Sequence, residues 1–254
     1  MSDLNDKVIL LTGAGGGIGQ ASAVVFAKAG ARLALTDINV EHGHATLAML
    51  KEIGAEAVFI KADLSQESEV VALVGQTIKQ FGRLDGAFNN AGVAQHGVAL
   101  HELTLAQWLQ TIQIDLTATF LCLKYEMKAM LECGHGTIVN TASGLGARAI
   151  QNAADYIAAK HGVIGLTRAA AVEYASRGIR INAIMPGVIE TPMVKQLAEN
   201  SSFEKFMGAL KARHPIGRFG HAHEVGEAVK WLLSDESSFV NGEALAVDGG
   251  YLAN

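Results

Sequence analysis

The chain has 254 residues, half of them apolar, with 28 glycines, 3 prolines and a formal net charge of −5. That length fits one large α/β domain and can bury a substantial core. The acidic balance gives no electrostatic case for nucleic acid or an anionic membrane, and no apolar run is long enough to span a bilayer.

Short apolar runs alternate with amphipathic segments along the chain. After Lys7, the run Val8-Ile9-Leu10-Leu11 is continuously apolar, the pattern of a strand covered on both faces. A glycine-rich turn leads into helical spacing over 18–29, closed by Gly30 as a C-cap. Further strands are expected at 32–36, 57–61, 84–88, 137–142, 180–185 and 244–247. Helices are expected at 40–53, 67–81, about 104–132, 153–176 and 222–234. Such alternation implies an α/β fold: one doubly wound, Rossmann-type domain over 1–254, with a seven-stranded parallel sheet and helices on both faces. The exception is 188–221, a polar stretch bounded by Pro186-Gly187, with about 193–212 reading as one or two short helices. A long excursion of this kind reads as a substrate loop or lid.

The turn after the first strand is Thr12-Gly13-Ala14-Gly15-Gly16-Gly17-Ile18-Gly19. Glycines there permit a tight turn and close approach of backbone to a pyrophosphate, which the helix N-terminus attracts. Asp37, at the end of the second strand, lies 18 residues after Gly19. A carboxylate there accepts hydrogen bonds from an adenosine ribose and repels a 2′-phosphate. With glycine at 16 and no Arg or Lys over 38–44, the expected cofactor is NAD. Asp37 is also a candidate N-cap for the next helix.

Tyr156 and Lys160 are four residues apart, hence on one face of their helix. A free phenol is a poor base near neutral pH, but an ammonium held beside it favours the phenolate, which can exchange a proton with an alcohol. The other titratable residues show no comparable pattern. Cys122 and Cys133 are too few for a disulfide framework and read as reduced thiols, and the nine histidines show no metal spacing. The N-terminal residues lack the basic and apolar stretches of a secretory signal, so a cytoplasmic protein is expected.

Taken together, Thr12-Gly13-x-x-x-Gly17-x-Gly19, Asp63-Leu64, Asn89-Asn90-Ala91-Gly92, Ser143, Tyr156-x-x-x-Lys160, Pro186-Gly187 and Thr191-Pro192-Met193 resemble the short-chain dehydrogenase/reductase family over nearly the whole chain. The resemblance implies a nicotinamide-dependent oxidoreductase, usually a homotetramer, here interconverting a secondary alcohol and a ketone. By it, Gly13, Gly17, Ile18 and Gly19 would hold the pyrophosphate, and Asp63 and Leu64 would meet the adenine. Asn90, Ala91 and Gly92 would approach the ribose. Pro186, Gly187 and Val188 would lie against the nicotinamide, with Thr191 at its carboxamide. Ser143 would bind the substrate oxygen, Tyr156 would be the general acid/base, and Lys160 would bind the nicotinamide ribose. Asp115 stands where the family usually has Asn in a proton relay, and a carboxylate there would add negative charge near the site.

The substrate pocket is expected to be lined by Val93 to His96, Gly144, Leu145, Gln151, Asn152 and 188–215, with His96 more a solvated loop histidine than a pocket donor. The alternatives are a 3-oxoacyl thioester reductase and, in another class, a non-catalytic NAD-binding module. Surplus apolar positions in 104–132 and 153–176 point to packing between copies of the chain.

Overall fold

A computed structural model of the protein describes residues 3–191, 208 and 210–254. In β1 (Val8–Thr12), Val8 and Leu10 join the apolar cluster on one face of the sheet, while Ile9 and Leu11 join the other. Burial on both faces explains the unbroken apolar run. The chain continues through α1 (Gly17–Lys28), β2 (Arg32–Thr36), α2 (Val40–Glu52), β3 (Ala57–Phe59), α3 (Glu67–Phe81) and β4 (Gly86–Asn89). Next come α4 (Leu105–Ile112), α5 (Ala118–Cys133), β5 (Gly136–Thr141), α6 (Ala154–Tyr174) and β6 (Ile179–Pro186). The described part ends with β7 (Ile189–Glu190), β8 (Gly220–His221), α7 (Ala222–Leu233) and β9 (Ala244–Val247).

The large sheet has seven strands in the order β3-β2-β1-β4-β5-β6-β9, every neighbouring pair parallel. Phe26 of α1, Leu50 of α2 and Val225 and Val229 of α7 pack on one face. Leu73 of α3, Leu123 and Met130 of α5 and Ala170 of α6 pack on the other. The direction of winding reverses between β1 and β4, so the loops after these strands diverge and open a crevice at their C-terminal ends.

Two expectations are corrected. The helix expected over about 104–132 is interrupted at Gln113–Thr117 by a π-turn, in which the Ala118 N–H donates to the Gln113 carbonyl. The extra residue rotates the remainder of the helix about its axis and leaves hydropathy almost unchanged. The 188–221 excursion is tied at its ends by a two-stranded parallel ladder, Ile189 opposite Gly220 and Glu190 opposite His221. Most of 193–212, with Pro192, lies outside the described residues, while 208 and 210–212 are helical.

A polar seam crosses the core between β4 and α5. Asn89 Nδ2 donates to Glu126 Oε2 at 2.9 Å and to Asn140 Oδ1 at 3.0 Å, and Asn140 Nδ2 donates to Thr167 Oγ1 at 3.0 Å. Glu126 is fully buried, and that burial, only partly offset by Asn89, pushes its carboxyl up to about 8. Among the described residues Glu126 Oε1 and Asn89 Oδ1 have no partner, and a neutral Glu126 leaves no charge to be solvated there.

The folded protein holds this proton until about pH 8, whereas an unperturbed glutamate releases it near 4.5. Its contribution to stability is therefore full below about pH 4.5 and is lost as the pH rises towards about 8. Glu126→Gln, which keeps a donor and an acceptor without the ionisation, is expected to raise the melting temperature at pH 8.5 by about 5 °C and to change it little at pH 5. Melting curves at the two pH values check this; an equal shift at both contradicts it.

Candidate active site

The two loops at the crevice meet through one hydroxyl. Thr12 Oγ1 accepts hydrogen bonds from the N–H groups of Asn90 at 2.9 Å and Ala91 at 3.1 Å. Asn90 Nδ2 donates in return to the carbonyls of Thr12 and Gly13, both at 3.3 Å. A Cβ on Gly19 would stand 2.0 Å from the Gly13 carbonyl oxygen, so only glycine lets α1 enter this close to the loop. Ile18 packs into the core below.

Helix α1 begins after Gly16, whose extended backbone offers no capping side chain, and the space around its Cα is open. The first-turn N–H groups and the positive end of the helix are therefore of the kind that attracts an anion such as a pyrophosphate. Thr191 faces Gly17 across the loop, its Cγ2 3.1 Å from where a Cβ on 17 would sit.

Asp37 is held against the glycine loop, with Oδ2 accepting the Gly15 N–H and Oδ1 the Asn39 N–H, each at 2.8 Å. It is not the N-cap of α2. Asn39 takes that place, accepting the His42 N–H at 3.0 Å. The carboxylate of Asp37 thus lies directly against the glycine loop. Asp63 Oδ1 accepts the Ser65 N–H at 3.0 Å, while Leu64 packs against Val70 and Leu121. At the other end of the crevice, Gly187 N–H donates to the Val247 carbonyl at 3.1 Å, so the Pro186-Gly187 turn rests on β9. The Val188 N–H donates to Nε2 of buried His214 at 3.1 Å, and that ring stacks on Tyr251 at 5.1 Å. Nothing in the sequence around His214 marks it for this support.

Tyr156 and Lys160 share a face of α6, with Lys160 Nζ 5.4 Å from the centroid of the phenol ring. Lys160 is buried, and its Nζ donates to the Thr141 carbonyl at 3.1 Å and stands 3.5 Å from Asp115 Oδ1. Ser143, extended just beyond β5, accepts the Leu145 N–H at Oγ (3.1 Å), which leaves its hydroxyl proton for a substrate oxygen. It therefore caps a turn and remains a usable donor.

The π-turn brings Asp115 into this group. The residue is fully buried, its Oδ1 accepts the Val93 N–H at 2.9 Å, and Thr119 Oγ1 donates to its carbonyl at 3.1 Å. Its Oδ2 has no hydrogen-bond partner among the described residues. Burial pushes the Asp115 carboxyl up, and the attraction of Lys160 and the bond from Val93 only partly oppose it. A side chain at Gly92 would collide with the pair, its Cβ 2.5 Å from Asp115 Oδ1 and 3.4 Å from Lys160 Nζ.

His96 departs from the expectation of a solvated loop residue. Its side chain is 22% exposed, and Nδ1 lies 2.8 Å from Oδ2 of Asp155, the buried residue just before Tyr156. Thr111 Oγ1 donates to the same oxygen at 2.9 Å. Burial raises the Asp155 carboxyl, but the hydrogen bonds from His96, Thr111 and the Tyr156 N–H outweigh it and hold the group below the usual carboxylate range. Gln151 and Asn152 line an open, largely apolar hollow of about 490 Å³ with Ile157 and His161, on a neighbouring part of α6. Among the described residues there is no cluster of side chains suited to a metal ion, and no helix long and apolar enough to cross a membrane.

A glycine loop at the switch point of a parallel sheet, with a tyrosine and a lysine on one face of α6, is the arrangement of a nicotinamide-dependent oxidoreductase. The comparisons with known proteins are specific. A family model described as "Enoyl-(Acyl carrier protein) reductase" matches residues 13–252. The 2,5-dichloro-2,5-cyclohexadiene-1,4-diol dehydrogenase of Sphingobium indicum is 46% identical over 255 residues, covering 100% of both chains. The cyclohexanol dehydrogenase of an Acinetobacter species (strain SE19) is 42% identical over 247 residues, covering 97% of this chain and 95% of its own. The crystal structure of levodione reductase superimposes with a TM-score of 0.93 at 43% identity, covering 98% of each chain. The chain belongs to the short-chain dehydrogenase/reductase family and is an oxidoreductase that interconverts secondary alcohols and ketones.

Asp115→Asn keeps an oxygen for the Val93 N–H and removes the charge beside Lys160. Loss of that charge is expected to move the acidic limb of the kcat/KM profile to lower pH by about half a unit to one unit. Because the folded state raises this carboxyl, its ionisation is unfavourable to folding at neutral pH, so the variant should also melt higher at pH 7. An unmoved limb and an unmoved melting temperature would place Asp115 outside the electrostatics of the site.

Proposed function

We propose that the protein is an NAD-dependent dehydrogenase for a secondary alcohol borne on a six-membered carbocycle. The observation that supports this reading is that Tyr156 and Lys160 share one face of α6, with Ser143 keeping a free hydroxyl proton just past β5 and Asp37 held against the glycine loop. Tyr156 takes the proton of the substrate hydroxyl, and Ser143 donates to the same oxygen as its negative charge develops. Lys160 offers Nζ to the nicotinamide ribose and places a positive charge beside the phenol ring. Bound NAD supplies the hydride acceptor.

Gly13, Gly17, Ile18 and Gly19 hold the pyrophosphate, Asp63 and Leu64 the adenine, and Asn90, Ala91 and Gly92 the ribose side. Pro186, Gly187, Val188 and Thr191 hold the nicotinamide, and 188–221 is the substrate loop of the single domain. The ring-alcohol assignment draws on the activities named for the two enzymatic relatives, both of them cyclic alcohol dehydrogenases. Preference for NAD draws on Asp37, with no cation from 38 to 44 to balance a 2′-phosphate. The protein works in the cytoplasm as a homotetramer, a reading supported by exposed Leu105 and Leu109 on α4 and Val172 on α6, apolar surface that a second copy would cover.

The decisive assay is a panel of cyclohexanols, open-chain secondary alcohols and 3-oxoacyl thioesters with NAD(H) and NADP(H), followed at the nicotinamide absorbance. Cyclohexanol-type substrates with NAD should give the highest kcat/KM; a preference for thioesters with NADPH would replace this reading with that of a thioester reductase. Tyr156→Phe should lower kcat by about a thousandfold with NAD binding little changed. Near-wild-type turnover would remove Tyr156 from the proton transfer. Asp37→Ala should reduce the NAD-over-NADP preference at least about tenfold, and an unchanged preference would count against the ribose role.

A further inference from the structure

Beyond β4, the chain runs along the helix turn that carries Tyr156. Gly92 lies against Lys160 and Asp115, the Val93 N–H is bonded to Asp115, and the His96 N–H donates to Asp155 Oδ2 at 3.3 Å. The segment thus spans α6 from Lys160 back to Asp155, and His96 ends within one residue of the catalytic tyrosine's own position on the helix. The buried carboxylate of Asp155 can only accept, and the Thr111 hydroxyl already donates to the same oxygen, so the imidazole carries its proton on Nδ1. In the neutral ring Nε2 is then a lone-pair acceptor with no partner among the described residues, and the side chain keeps 22% of its surface exposed. Asp155 and Thr111 hold the ring in one orientation, as the second hydrogen bond of a functional histidine does.

We infer that His96 Nε2 accepts a hydrogen bond from a second hydroxyl of the substrate, so that the enzyme selects cyclic diols over simple cyclic alcohols. The assignment rests on the ring-alcohol reading above and adds the second polar substituent to it. It agrees with the relative whose named activity is on a cyclohexadiene-1,4-diol. His96 binds the remote end of the substrate, with Asp155 as its positioning residue.

The test compares cyclohexanol with cyclohexane-1,4-diol in the wild type, His96→Asn and His96→Gln. Asparagine can keep the bond to Asp155 but has no atom at the position of Nε2, whereas glutamine reaches it. In the wild type the diol should have the higher kcat/KM. In His96→Asn the diol-to-cyclohexanol ratio should fall about tenfold, mainly through KM, and His96→Gln should recover part of it. A ratio that stays constant, whether both substrates lose activity together or neither does, overturns the assignment and leaves His96 as a pin for the loop. A wild type that oxidises the open-chain alcohols of the panel but neither ring substrate overturns the ring-alcohol reading, and this one with it.

Discussion

The site depends on how two loops from opposite halves of the sheet are joined at one point. A doubly wound sheet opens a crevice wherever its winding reverses, and a crevice alone would leave the two loops free to drift. Thr12 Oγ1 prevents that by accepting two consecutive N–H groups from the segment after β4, and Asn90 closes the junction from the other side. Because the glycine loop and the 90–92 segment are thereby one rigid floor, everything the second segment touches is placed relative to the cofactor cradle. That includes Asp115 through Val93, Lys160 through the close approach of Gly92, and Asp155 through His96.

Three buried carboxyl groups within this framework show how burial and hydrogen-bond donors together decide their state. Desolvation raises all three. Asp155 collects enough hydrogen bonds to end below the usual range, Asp115 has one backbone donor and a nearby lysine and ends above it, and Glu126 has one amide and ends near 8. Asp155 is the fixed charge of the set. The other two store a cost to folding, one beside Lys160 and one in the seam between β4, β5 and α5.

Strand and helix alternation is legible in the sequence because each parallel strand is buried on both faces and each crossover helix carries one apolar stripe. The glycine loop and Asp37 are legible for a related reason: their spacing is set by one β-α-β unit, so the chemistry stays close in sequence. The π-turn at Gln113–Thr117 is not, since one extra residue in a helix shifts its face without altering composition. His96 and Asp155 are 59 residues apart and meet only because the chain after β4 lies along α6. Glu126 looks like a solvated helix residue until its neighbours are known, and His214 becomes meaningful only when the chain returns under the Pro186-Gly187 turn.

The short ladder between β7 and β8 has an evolutionary consequence. It ties together the two ends of the long excursion, with Ile189 against Gly220 and Glu190 against His221, outside the seven-stranded sheet. That ladder and buried His214, which anchors the returning half of the excursion under Val188, fix where the segment leaves and rejoins the domain. Evolutionary change in the excursion is therefore constrained at these anchors, whatever the length of chain between them.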